Sequence, residues 1–165
     1  MTTPTPPATP ETALARRWRL EVNTGTTETP TWELCPGITD FTFTAPPTLQ
    51  ASGEYENGGW GSNTKTAQTW QVTVTFNRKR TADATAYSPV HEHIRAAAFG
   101  WGGTSKVHIR WYDRDGLPEA YEGHAVVTWA PAGGDYTALG SVVATMDGDG
   151  PLELITNPAA PEVTP

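Results

Sequence analysis

The chain is poor in the groups from which most chemical sites are built. It has one cysteine, Cys35, so no disulfide can form within it. Set between Leu34 and Pro36, that thiol is expected to be a small buried hydrophobe. Lysine occurs only at Lys65, Lys79 and Lys106, and acidic side chains outnumber basic ones by 18 to 11, for a formal net charge of -7. This balance argues against a nucleic-acid binder, because phosphate neutralisation needs clustered Lys and Arg. It is compatible with a surface past which nucleic acid slides without sticking. The one basic run, Arg78-Lys79-Arg80, reads as a solvated strand end. No stretch of about eighteen apolar residues is present, and Met1 to Pro7 has neither a cationic nor an apolar leader segment, so the chain is expected to be made and kept in a cytoplasm.

Catalytic and metal-binding patterns are also missing. His91-Glu92-His93-Ile94-Arg95 invites comparison with a zinc protease, but the second histidine would have to stand where Arg95 is, and histidines two apart point to different helix faces. Asp147-Gly148-Asp149-Gly150 opens like a calcium loop, yet Leu152 takes the place of the required glycine and Pro158 that of the closing glutamate, which leaves a turn. There is no phosphate-binding glycine loop, nucleophile elbow or Cys/His pair in a helpful context. No catalytic residue, metal or cofactor is expected.

What is abundant is threonine, glycine, proline and tryptophan, the last seven times in 165 residues. Residues 1–15, rich in Pro and Thr, are expected to be a flexible arm, residues 16–158 one domain, and residues 159–165 a flexible tail. Alternation of apolar and polar residues predicts strands over 17–23, 32–35, 38–44, 69–77, 106–112, 120–129 and 136–146. Trp18, Trp70, Trp111 and Trp129 fall in the apolar phase of their strands. One helix is predicted to start at the cap residue Ser88 and Pro89, with Val90, Ile94, Ala97, Ala98 and Trp101 on its buried face. Together these elements give a mainly β fold of the α+β class: two packed antiparallel sheets or a flattened β-barrel with one flanking α-helix.

The organising stretch is Gly37 to Arg78. Phe41 and Phe43 alternate with Asp40, Thr42 and Thr44 in its first arm, and Val72, Val74 and Phe76 with Thr73 and Thr75 in its second. Each arm therefore has one dry face and one wet face. Some two dozen residues join them, where a hairpin needs about two to five. The connection carries Tyr55, Asn57-Gly58-Gly59, Trp60 and Lys65.

The early Trp18-Arg19-Leu20-Glu21-Val22-Asn23 strand, Gly37-Ile38-Thr39-Asp40-Phe41 before the long hairpin, the Pro89-Val90 helix and the closing Val142 to Leu152 segment resemble the major tail tube proteins of long-tailed, non-contractile bacteriophages. The resemblance spans about residues 17–158. It implies hexameric rings whose sheets pool into one β-barrel and stack into a tube for DNA. It also implies a long loop that reaches the adjacent ring, with the tape-measure protein in the bore and tail terminator and baseplate or tip proteins at the ends. On that basis Tyr55, Asn57, Trp60 and Lys65 are expected at contacts between rings or subunits, and Asp40, Thr42, Thr44, Thr73, Thr75 and Glu122 facing the lumen. The tube would be assembled in the host cytoplasm, belong to the virion tail, and involve no membrane. An acidic, Trp-rich β-sandwich also describes a carbohydrate-binding module, and a tail terminator or capsid decoration protein would be of similar size and fold class.

Overall fold

The computed structural model describes residues 10–161. Most of the arm expected over 1–15, and the end of the tail expected over 159–165, lie outside these residues. The strands in chain order are β1 (Trp18–Asn23), β2 (Trp32–Leu34), β3 (Ile38–Thr44), β4 (Pro47–Ala51), β5 (Asn63–Gln68), β6 (Gln71–Asn77), β7 (Lys106–Asp113), β8 (Ala120–Pro131), β9 (Ser141–Gly148) and β10 (Glu153–Leu154). The helix α1 (Pro89–Ala98) lies between β6 and β7.

Eight of the strands form one antiparallel sheet in the order β2-β1-β7-β8-β9-β6-β3, with β10 beside β8. The long β8 makes this sheet into two layers. Its first half pairs with β7, from Tyr112↔Ala120 to Lys106↔Val126, while its second half pairs with β9, from Ala125↔Gly148 to Pro131↔Val142. One layer is therefore β2-β1-β7 with the start of β8, and the other is the end of β8 with β9, β6 and β3. Their inner faces meet through aromatic contacts: Trp18 to Phe41 at 5.8 Å, Phe43 to Trp111 at 5.1 Å and Phe43 to Tyr121 at 5.2 Å between ring centroids. Leu20, Val22, Val72, Val74, Phe76, Ile109, Trp111, Ala144 and Met146 are buried between them. Burying each large apolar side chain stabilises the fold by about 1.5–3 kcal/mol before conformational entropy is subtracted.

Where β8 crosses from one layer to the other, Trp70 fills the corner. A Cβ on Gly148 would stand 2.4 Å from its indole and one on Gly123 2.6 Å, so both positions must lack a side chain for the ring to seat. The indole N–H donates to the Gly150 carbonyl at 3.1 Å. Asp147-Gly148-Asp149-Gly150 is thus only partly the expected turn. Asp147 and Gly148 continue β9, and Asp149 pairs with Lys106 at 2.6 Å. At its other end β9 begins later than predicted, at Ser141. Residues 136–140 are instead a loop folded on Asp135, whose carboxylate accepts bonds from the Thr137 backbone N–H at 2.8 Å and hydroxyl at 2.6 Å.

The helix buries Val90, Ile94 and Ala97, as its periodicity requires. Ser88 stands at the N-cap, but its hydroxyl makes no capping bond. Trp101 departs from the expected buried face. The helix ends at Ala98 and Gly100 closes it, so the chain has turned away before position 101 and leaves that indole 89% exposed. His91 joins the buried face instead, stacked on Phe76 with ring centroids 4.3 Å apart. Its Nε2–H donates to the Pro36 carbonyl at 2.9 Å and its Nδ1 accepts from the Lys79 backbone N–H at 3.4 Å, which fixes the neutral tautomer. Burial holds its pKa below the ordinary value. Arg78 is not the solvated strand end that its neighbours suggest. It pairs with Glu92 at 2.5 Å and lies over the rings of Tyr87 and Trp129 at 3.9 and 5.0 Å. Lys79 and Arg80 are exposed. Cys35 is buried, and desolvation pushes its thiol up to about 12.

Candidate assembly surfaces

The long connection is an arm. Residues 47–51 and 63–68 pair as an antiparallel ribbon, from Pro47↔Gln68 to Ala51↔Asn63, and every residue of both strands is exposed. The Thr69 N–H donates to the Pro46 carbonyl at 3.3 Å, so the ribbon grows directly out of the β3–β6 pair. Its tip is a short 3-10 turn at Tyr55–Asn57 followed by Gly58 and Gly59, both at positive φ, where glycine is free of the Cβ clash. Tyr55 is fully exposed, Trp60 is 83% exposed and Leu49 56%. Among the described residues the two aromatics form no core of their own. Asn57 packs at the turn, where its carbonyl accepts from the Trp60 N–H at 3.1 Å, and Lys65 reaches Gln68 along the ribbon. The pairing of the ribbon was not legible in the sequence, because Leu49 is its one large apolar residue and strands wet on both faces leave no alternation to read.

Five of the six expected lumen residues share one surface. Asp40 pairs with Thr75 and Thr42 with Thr73 across β3 and β6, and Thr44 pairs with Gln71 at the root of the arm. Thr73 pairs in turn with Thr145, and Thr145 with Thr128. The outer face of the β8-β9-β6-β3 layer is therefore a field of short hydroxyl side chains, bordered by Gln71 and Asp147, which bond at 2.6 Å. Among the described residues both borders of the layer are free: no other strand pairs with the far edge of β3, and beyond Val126 β8 pairs on one side only, with β9. A bulge between Ile38 and Asp40 interrupts the regular ladder on the β3 border.

Glu122 is elsewhere. It belongs to the first half of β8, on the outer face of the opposite layer, where its carboxylate accepts from the His108 Nε2–H at 2.8 Å. This second face is a bonded polar network. His108 stacks on His124 with centroids 4.2 Å apart, and the Asn23 side-chain amide donates to His108 Nδ1 at 3.2 Å. Arg110 pairs with Glu21 at 2.6 Å and lies over Trp32 at 4.4 Å, while the Tyr112 hydroxyl donates to Glu21, also at 2.6 Å. Desolvation, then the neighbouring His108, holds the His124 pKa down. Among the described residues no three His, Cys, Asp or Glu side chains are grouped as a metal site, and no helix is long and apolar enough to cross a membrane.

No protein-family model matches the sequence and no curated protein matches it. Solved structures do match the fold. A chain in the virion of a native gene transfer agent particle superposes with a TM-score of 0.63 at 12% identity, over 87% of this chain and 99% of that one. A chain in the tail of an empty gene transfer agent particle, of C6 symmetry, gives 0.61 at 15% identity over the same shares. The SPP1 tail tube gives 0.63 at 10% identity, over 87% of this chain and 80% of that one. At such identities likeness establishes the fold, and the fold of this chain is the one found in the SPP1 tail tube and the gene transfer agent tail.

Proposed function

We propose that this protein is the structural subunit of a phage-type tail tube, assembling into rings that stack and carry DNA through their bore. The observation that carries the reading is the four-stranded β8-β9-β6-β3 layer, which joins two free borders, a hydroxyl-lined outer face and a protruding arm. A β3 border on one copy offers its ladder to the β8 border of the next, a head-to-tail contact that closes when the rotation per copy divides a full turn. With the sixfold symmetry of the gene transfer agent tail, four strands from each of six chains make a barrel of twenty-four. Closure removes edges that would otherwise recruit strands at random.

In this arrangement Asp40, Thr42, Thr44, Thr73 and Thr75 line the bore, and Glu122, with its histidine partners, faces outward on the other layer. Threonine supplies wettable, short, uncharged side chains, and the net acidity of the subunit repels the DNA backbone, so that the genome neither adheres nor stalls. The role is structural, with no catalytic step. Its partners are further copies of itself, a tape-measure protein, a terminator and baseplate or tip proteins, in a tail assembled in the host cytoplasm.

Tyr55, Asn57, Trp60 and Lys65 on the arm make the contact with the adjacent ring, where buried aromatic anchors dominate interface energies. Trp60→Ala is expected to leave a folded, soluble monomer that forms no tubes in negative-stain micrographs under conditions where the unmodified chain does. Normal tubes from that variant would refute the role of the arm.

A further inference from the structure

The two ends of the β8-β9-β6-β3 layer are chemically complementary. At one end the arm leaves from Thr44 and returns before Gln71. Its tip carries Glu54 and Glu56 beside the exposed rings of Tyr55 and Trp60, with no cation among residues 52–62. The opposite end is defined by the register of β6 and β9. Gln71 pairs with Asp147, and Asn77, about 20 Å further along at about 3.4 Å per residue, pairs with Ser141. There the β8–β9 loop exposes Tyr136 (99%) and Leu139 (74%). The Arg78 N–H donates to the Gly140 carbonyl at 2.8 Å, which fixes this loop beside the exposed Lys79 and Arg80. Tyr87, bridged to Arg80 and itself 47% exposed, completes the patch.

Asp83 and Asp135 also stand at this end, but each carboxylate is bonded within its own loop, Asp83 to the Thr81 hydroxyl and Thr85 N–H and Asp135 to the Thr137 N–H and hydroxyl. The exposed Lys79 and Arg80 are left as the charges that can face a partner. An acidic aromatic tip at one end and an apolar patch with two such cations at the other suit a contact between copies related by translation along the strands. Two like ends would not fit, because acid would meet acid. We infer that the Lys79–Arg80, Tyr87, Tyr136 and Leu139 surface is the receptor for the Glu54–Trp60 tip of the arm of the axially adjacent copy. This rests on the tail-tube reading and adds the site at which the arm docks. Such a contact is heterologous and repeats without closing, as stacking requires. It also gives a task to the one basic run of an acidic chain.

Charge reversal on either side tests the assignment. Glu54→Lys with Glu56→Lys, and separately Lys79→Glu with Arg80→Glu, are each expected to lower the sedimentable polymer at least about tenfold, since tenfold corresponds to only about 1.4 kcal/mol. The chain carrying all four substitutions is expected to recover tubes, and its recovery also shows that the reversed positions do not disturb folding. Unimpaired tubes from both double variants, or a quadruple variant that stays monomeric, would overturn the receptor assignment alone. An unmodified chain that never assembles would overturn the tail-tube reading and the receptor with it.

Discussion

His91 shows how a residue that looks like a ligand becomes a structural part. In the sequence it is half of a His-x-His pair; in the fold it lies fully buried between Phe76 and Pro36, with both ring nitrogens bonded. Its pKa is held below the ordinary imidazole value of 6.5, so between the two values the unfolded chain binds more protons than the folded one. The stability that this residue contributes is full above 6.5 and is lost as pH falls below it. His91→Leu is expected to cost about 1–3 kcal/mol at pH 7.5, because the Pro36 carbonyl and Lys79 N–H lose their partner. It should also flatten the fall in stability between pH 6.5 and the acid range. Urea unfolding at several pH values measures both effects, and equal midpoints and slopes for the two chains would contradict this role. Trp101 makes the converse point. It keeps helical spacing with Ile94 and Ala97, yet stands in solvent because the helix ends three residues before it.

At the scale of elements, the decisive feature is β8, whose twelve residues serve both layers. The crossing depends on Trp70, and Trp70 depends on two glycines. Gly148→Ala would push a methyl group into the indole, and is expected to cost about 1–3 kcal/mol through overpacking and displaced rotamers. Thermal unfolding should show a lowered midpoint together with altered tryptophan fluorescence; an unchanged midpoint would mean that the corner can yield. The individual strands β1, β3, β6, β7 and nearly all of β8 were legible in the sequence, since one face of each is buried or half-buried and the other is wetter. The β4–β5 ribbon was not, because it buries neither face, and residues 136–140 looked like strand although Asp135 turns them.

At the scale of the whole molecule, the two outer faces differ in kind. One is a threonine field with free borders, the other a network of ion pairs and stacked rings that already satisfies itself. If the first face lines the bore, Thr42→Lys with Thr73→Lys should still give tubes, since both side chains stand in solvent or at its margin. Those tubes should retain linear DNA in a salt-sensitive way that unmodified tubes do not, because each ring gains a band of phosphate-neutralising charge. Co-sedimentation at low and raised salt reads this directly. Lysine tubes that ignore DNA would place the threonine face away from the bore.

The sequence by itself determined the local choices: which strands have a wet face, where the α-helix begins, that Cys35 is buried, and that catalytic motifs are missing. These follow from period, capping and composition, which act between residues close in the chain. Only the tertiary structure decided which wet faces look the same way. Glu122 alternates along its strand in the same manner as Thr42 or Thr73, but β8 carries it onto the opposite layer, and no spacing along the chain records that turn. Tertiary structure likewise set the acidic tip and the basic patch at opposite ends, through the register of β6 against β9, a relation between segments some seventy residues apart.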